Sequence, residues 1–233
     1  MKIVGLQKMT LLDYPGKVAC TVFLEGCNFR CPFCHNSQLL GSTAQPVMTQ
    51  DGLLDFLKKR RGLLDGVCIT GGEPTLSPGL EGLLTRIKAL GFSVKLDTNG
   101  SRPEVLKALV ERGLVDYVAM DIKNSPERYA LTCGNPALEI GQIGQSVRFL
   151  MSGQTDYELR TTVAEPFHDE ASIAAMGRWL SGFGRAKQHF LQPFVDRETV
   201  AVSGLSSPNR EKLLAFRDIL LPFVEKAEIR GID

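Results

Sequence analysis

Six times along the chain a short β-rich run gives way to a longer segment with apolar residues at helical spacing, and no other feature narrows the fold as far. The β-rich runs are VACTVFLE (18–25), GVCIT (66–70), SVKLD (93–97), YVAMD (117–121), YELRTTV (157–163) and HFLQP (189–193). Between and after them lie TQDGLLDFLKKRRGLL, PGLEGLLTRIKALG, RPEVLKALVERG, IGQSVRFLMSG, DEASIAAMGRWLSGF and SPNREKLLAFRDILLPFVEK. This alternation is the pattern of parallel βα units, which right-handed crossovers join into a barrel or an open doubly wound sheet. A final run, AEIRG, predicts a terminal strand. Asp169 or Ser172 starts one helix and Ser207 with Pro208 the last, while Gly91 and Gly113 close two others. No Gly/Ser-rich or charged linker interrupts the pattern, so one domain over residues 1–233 is expected. Its 43% hydrophobic content is enough for a substantial core.

In both architectures the loops after the C-terminal ends of the strands converge, and functional groups collect there. The loop EGCNFRCPFCHN follows the first run, TGGEP the second, DTNG the third and DIK the fourth. Lys and Arg number 27 against 26 Asp and Glu. No long-range field therefore favours nucleic acid or an anionic membrane, and basic residues are not massed against aromatic ones. KKRRG (58–62) reads as a solvated helix end. The N-terminus lacks the marks of a leader and no stretch approaches the ~18 apolar residues of a membrane span. A cytoplasmic protein without membrane or nucleic-acid partners is expected.

Six cysteines are too few for a disulfide scaffold of this length. Cys20 and Cys68 lie in apolar runs and read as core residues. Cys133, in ALTCGNP, reads as a turn cysteine without a role. Cys27, Cys31 and Cys34 are different, because three thiolates within eight residues can converge on a metal centre. A structural zinc site needs a fourth ligand, for which His35 is the candidate. An iron-sulfur cubane held by three cysteines leaves one iron for a substrate or cofactor, with Phe33 as its apolar shield. Gly71 and Gly72 permit close approach to the backbone, and Glu73 can accept from an ammonium group. Asp121 and Lys123 share one side of a strand end and could hold a zwitterion, or merely each other.

CNFRCPFC matches the CxxxCxΦC motif of radical S-adenosylmethionine enzymes, and GGEP that superfamily's motif for the methionine amino group. More narrowly, LDYPGK, TVFLEGCNFRCPFCHN, TGGEPTL, LDTNG and MDIK resemble the glycyl radical enzyme activases, nearest to the anaerobic ribonucleoside-triphosphate reductase activating proteins, with pyruvate formate-lyase activating enzyme as a relative. The resemblance is strong from Leu6 to Lys123 and weaker beyond. It implies a partial (β/α)6 TIM-like barrel of parallel strands. It also implies a 4Fe-4S cluster on Cys27, Cys31 and Cys34 that chelates S-adenosylmethionine, with Gly71, Gly72 and Glu73 at the amino group. Asp97, Thr98 and Asp121 map onto a monovalent-cation site beside the methionine carboxylate, Lys123 onto a contact with carboxylate or ribose, and Arg160 onto a further carboxylate contact. His168 and Gln192 fall on the adenosine side.

The implied chemistry is reductive cleavage to methionine and a 5′-deoxyadenosyl radical, which takes hydrogen from a glycine of a second protein. Only 36 residues separate Cys34 from Gly71 and no second cysteine cluster occurs, so the ferredoxin-like insertion of larger activases is missing. One cluster is expected, reduced by an external flavodoxin or ferredoxin. Three alternatives stay open: an activase of the pyruvate formate-lyase type, a small radical S-adenosylmethionine enzyme acting on a small molecule or peptide, such as a 7-carboxy-7-deazaguanine synthase, and a zinc-stabilised binding module without catalysis.

Overall fold

A computed structural model describes residues 1–41 and 44–231. Eight strands follow chain order through a mostly parallel sheet, from β1 (Ile3–Thr10) and β2 (Ala19–Leu24) to β8 (Ala227–Ile229). The Cα trace forms two compact units.

The first unit comprises Met1–Asn28, Gln38–Thr98 and Glu104–Ala119. Here β2 pairs in parallel with β3 (Gly66–Gly71), from Ala19 opposite Gly66 to Leu24 opposite Gly71, and β3 with β4 (Ser93–Thr98). The cores of these strands are continuous buried runs, as expected of parallel strands covered on both faces. Helix α1 (Gln50–Lys58) buries Leu53, Leu54 and Leu57 and is capped by Thr49, whose hydroxyl accepts from the Gly52 amide at 3.0 Å. It stops before KKRRG is complete, because Arg60 and Gly62 turn the chain. Helix α2 (Leu80–Ala89) buries Leu80, Leu83, Leu84 and Ile87, and α3 (Pro103–Glu111) buries Leu106, Leu109 and Val110. Strand β1, absent from the sequence-based reading, runs antiparallel to β2. Its central Gln7, Lys8 and Met9 are exposed, as suits an edge strand, and erase the alternation that would have marked it.

The second unit comprises Phe29–Ser37, Asn99–Pro103 and Met120–Asp233, and β5 (Tyr117–Asp121) runs into it. Helix α4 (Pro126–Cys133) also escaped the sequence-based reading, although Ser125 with Pro126 at its start and Gly134 at its left-handed C-cap are ordinary boundary signals. Helix α5 (Ile140–Met151) precedes β6 (Asp156–Val163). Helix α6 (Glu170–Ser181) opens with a capping box in which Asp169 and Ser172, the two candidate starters, bond each other's amides at 2.8 and 3.1 Å. Strand β7 (His189–Pro193) pairs in parallel with β6 and with β8. Helix α7 (Arg210–Leu220) is capped by Asn209 rather than by Ser207 and Pro208, since the Asn209 side chain accepts from the Lys212 amide at 2.9 Å. The three-residue β8 is fastened by Arg230, which forks onto the buried Glu158 at 2.8 and 2.7 Å and covers the Phe190 ring. Among the described residues no helix is long and apolar enough to cross a membrane.

His189 is fully buried. Its Nε2 lies 2.8 Å from the Thr161 hydroxyl, which donates to the Ile122 carbonyl, and Nδ1 has no hydrogen-bond partner among the described residues. Burial pushes its pKa down to about 3, so the unfolded chain binds the extra proton between that value and the ordinary 6.5. Stability is therefore lost as pH falls through that window, by roughly 2 kcal/mol between pH 7.5 and 5 from this residue. Urea unfolding of wild type and His189→Gln at the two pH values should show a correspondingly smaller acid loss in the variant; equal losses would sink the assignment.

Candidate active site

In the first unit the GGE turn is built onto the approach to the cysteine loop. At the end of β3, the Gly72 amide donates to the Leu24 carbonyl at 2.9 Å and the Glu73 amide to the Gly26 carbonyl at 2.7 Å. Gly26 also donates to Leu39 at 2.8 Å, so the residue before Cys27 is held from two sides. A Cβ on Gly71 would lie 2.3 Å from the Leu24 carbonyl oxygen, and one on Gly72 2.1 Å from that of Gly26. Only glycine brings these two backbones so close. Glu73 is buried, and its Oε1 accepts from the Thr75 amide at 3.0 Å, the Thr75 hydroxyl at 2.5 Å and the Thr98 hydroxyl at 2.8 Å. Three donors on one oxygen fix the carboxylate's orientation. The carboxylate also caps a 3-10 turn, Pro74–Leu76. Asp97, on β4, is ion-paired with Lys95.

In the second unit the remainder of the cysteine loop rests on the C-terminus of α4. Arg30 donates to the Cys133 carbonyl at 2.8 Å, the Cys31 thiol lies 3.7 Å from the same oxygen, and the Cys34 amide donates to the Cys31 carbonyl at 3.1 Å. Cys133 is thus a buried helix-end residue rather than a turn cysteine, and the desolvation of its thiol raises its pKa. Phe33 is buried with Ala164 and Phe194 and meets Phe167 edge-on at 5.8 Å. Asp121, at the end of β5, binds Lys123 at 3.0 Å and Arg160 Nε, from within β6, at 3.0 Å. Burial alone would raise the Asp121 carboxyl, but Arg160 and then Lys123 outweigh it and hold the pKa down at about 2. Burial likewise opposes the Lys123 charge, yet Asp121, followed by a Cys31 thiolate, keeps its ammonium well above the ordinary lysine range.

The other expected residues divide by environment. His168 spends both ring nitrogens on backbone, Nε2 against the Lys123 carbonyl at 2.8 Å and Nδ1 against Ala164. Gln192 is half-buried near the end of β7. His35 stacks on Phe194 and turns Nε2 to the Val195 carbonyl at 2.8 Å, as a packing residue does. Cys20 and Cys68 are buried core residues, and burial pushes the Cys20 thiol up to about 12.

Cys27, Cys31 and Cys34 are half-buried and form no disulfide. Among the described residues no three His, Cys, Asp or Glu side chains crowd around one point as the ligands of a single ion would. Three soft thiolate donors on a loop anchored at Gly26 and Arg30 fit an iron-sulfur cluster.

The profile of the Radical SAM superfamily matches residues 21–163, more than half of the chain, and the protein belongs to that superfamily of enzymes, whose members hold a 4Fe-4S cluster and S-adenosylmethionine. Within it, the chain is 29% identical over 240 residues to a Methanocaldococcus jannaschii protein that carries the name of a glycyl-radical enzyme activating enzyme, covering 98% of this chain and 95% of that one. It is 32% identical to the pyruvate formate-lyase-activating enzyme of Clostridium pasteurianum over 53% of this chain and 52% of that enzyme. A solved domain of pyruvate-formate lyase-activating enzyme from Bacteroides vulgatus shares the fold, with a TM-score of 0.58, 24% identity, and coverage of 71% of this chain and 99% of the domain.

Proposed function

We propose that this enzyme is a glycyl radical enzyme activase, with anaerobic ribonucleoside-triphosphate reductase as its protein substrate. The observation that carries the activase reading is the similarity, over 98% of the chain, to a protein named as a glycyl-radical enzyme activating enzyme, while the choice of reductase rests on the resemblance of the sequence motifs. When bound, the cluster and S-adenosylmethionine supply reductive sulfonium cleavage and hence a carbon radical able to take hydrogen from glycine.

The chain's own residues do the rest. Cys27, Cys31 and Cys34 hold the cluster. Glu73, locked by Thr75 and Thr98, accepts from the methionine ammonium, and the glycine backbone of residues 71 and 72 seats it against the approach to the cysteine loop. Lys123 and Arg160, oriented by Asp121, present cations to the methionine carboxylate or the ribose. Phe33, within its aromatic cluster, keeps water from the reacting atoms. Residues 1–233 act as one catalytic domain in the cytoplasm, and reduced flavodoxin or ferredoxin delivers the electron.

The test is anaerobic: reconstitute with iron and sulfide, reduce, add S-adenosylmethionine, and assay 5′-deoxyadenosine with and without anaerobic ribonucleotide reductase. Cofactor cleavage together with a glycyl radical signal in the reductase is expected. Cleavage without that signal would reject this partner, and no cleavage from an intact cluster would reject the activity.

A further inference from the structure

Lys95 lies in the middle of β4 between the fully buried Val94 and Leu96, and is itself only 2% exposed. Its ammonium is ion-paired with Asp97, two residues on and therefore on the same face of the strand. Nζ also lies 3.8 Å from the Cys68 sulfur, and Cys68 stands directly opposite Lys95 in the β3–β4 register. The same sulfur is 3.8 Å from the Asp97 carboxylate. A lysine this deep is retained only when its charge is compensated, so this ion pair is a fixed part of the strand.

The resemblance assigned Asp97, Thr98 and Asp121 to a monovalent cation, and these residues do not fit that group. The Asp97 carboxylate faces the Lys95 ammonium. The Thr98 hydroxyl donates to Glu73. In the second unit, Asp121 is bound by Lys123 and Arg160. An alkali ion brought to Asp97 would sit beside a buried ammonium and be repelled by it at low effective dielectric.

We propose that the Lys95 ammonium, ion-paired with Asp97 inside β4, takes the place of a monovalent cation, so that this enzyme binds S-adenosylmethionine without potassium or sodium. The proposal rests on the radical S-adenosylmethionine reading of the site. A tethered ammonium supplies the same single positive charge as an alkali ion, without loss of a free ion's translational entropy and without dependence on salt composition.

The test is calorimetric titration of the cluster-loaded protein with S-adenosylmethionine in potassium chloride and in choline chloride at equal ionic strength. Wild-type affinity should agree within about twofold between the two salts. Lys95→Met, which keeps an unbranched side chain one atom shorter and removes its charge, should bind about tenfold more weakly in choline and recover most of that loss in potassium. Cluster absorbance and circular dichroism report whether the variant is folded, and the wild-type comparison stands whether or not it is. A several-fold potassium response in the wild type, wild-type affinity of the variant in choline, or weak binding that potassium does not restore would each overturn the proposal. Absence of wild-type binding in both salts would remove the binding site itself, a result distinct from any salt response.

Discussion

Cys31→Ala is expected to leave a folded protein that assembles no 4Fe-4S cluster and cleaves no S-adenosylmethionine. The thiol is half-buried, lies 3.7 Å from the Cys133 carbonyl and packs at the edge of the Phe33 cluster, so the apoprotein should lose about 1 kcal/mol. The loss of metal should be complete because no other thiol can substitute. Cys20 is fully buried with its pKa pushed up to about 12, Cys68 is sealed against Lys95 in the β3–β4 core, and the Cys133 thiol is buried and discouraged from ionising. A thiolate, not a thiol, binds iron. Lys123 loses one of the negative charges that sustain its ammonium, but Asp121 remains at 3.0 Å and keeps it protonated. Iron and sulfide analysis after anaerobic reconstitution should fall from about four of each per chain to near zero. Full iron content, or undiminished 5′-deoxyadenosine formation, would refute the assignment of Cys31 as a ligand.

The sheet was legible because burial leaves a period in sequence. YVAMD and HFLQP coincide with β5 and β7 residue for residue, since both are short apolar runs bounded by turns. β1 was not legible, because an edge strand exposing Gln7, Lys8 and Met9 has neither alternation nor a continuous apolar run. α4 carried boundary signals, but its eight residues bury only Tyr129, Thr132 and Cys133, too few for a helical stripe to stand out. Of the candidate site, residue types and spacing identified the cysteine loop, the GGE turn and the Asp121–Lys123 pair. They could not identify the second-layer commitments: the Thr98 hydroxyl to Glu73, the ring of His168 to backbone, and Arg160 to Asp121. Lys95 left a signal that could have been read, a charged residue in SVKLD flanked directly by Val94 and Leu96, both of which argued for burial.

Gly72→Ala tests the geometry that joins motif to motif, and its effect should be large for a single methyl group. The position has no left-handed backbone angle, so alanine's conformational preference is no obstacle; the obstacle is space. The new Cβ would stand 2.1 Å from the carbonyl oxygen of Gly26 and 2.6 Å from its carbonyl carbon, both main-chain atoms that cannot rotate away. Relief requires the two backbones to part by more than an ångström, measured against the 3.4 Å at which ordinary contact begins. That movement breaks the Glu73 amide bond to Gly26 at 2.7 Å and displaces Glu73 from the residue that precedes Cys27. The expected cost is about 1–3 kcal/mol of stability, together with a roughly 10- to 100-fold loss of S-adenosylmethionine affinity in protein that still carries its cluster. Gly82→Ala is the matched control. Gly82 lies within α2 with nothing within 4 Å of a Cβ, so the same methyl group should stabilise the protein by about 0.5–1 kcal/mol and leave affinity unchanged. Chemical unfolding and ligand titration on both variants separate the two effects, and a Gly72→Ala enzyme that binds as tightly as wild type would show that the GGE turn does not need its contact with the cysteine loop.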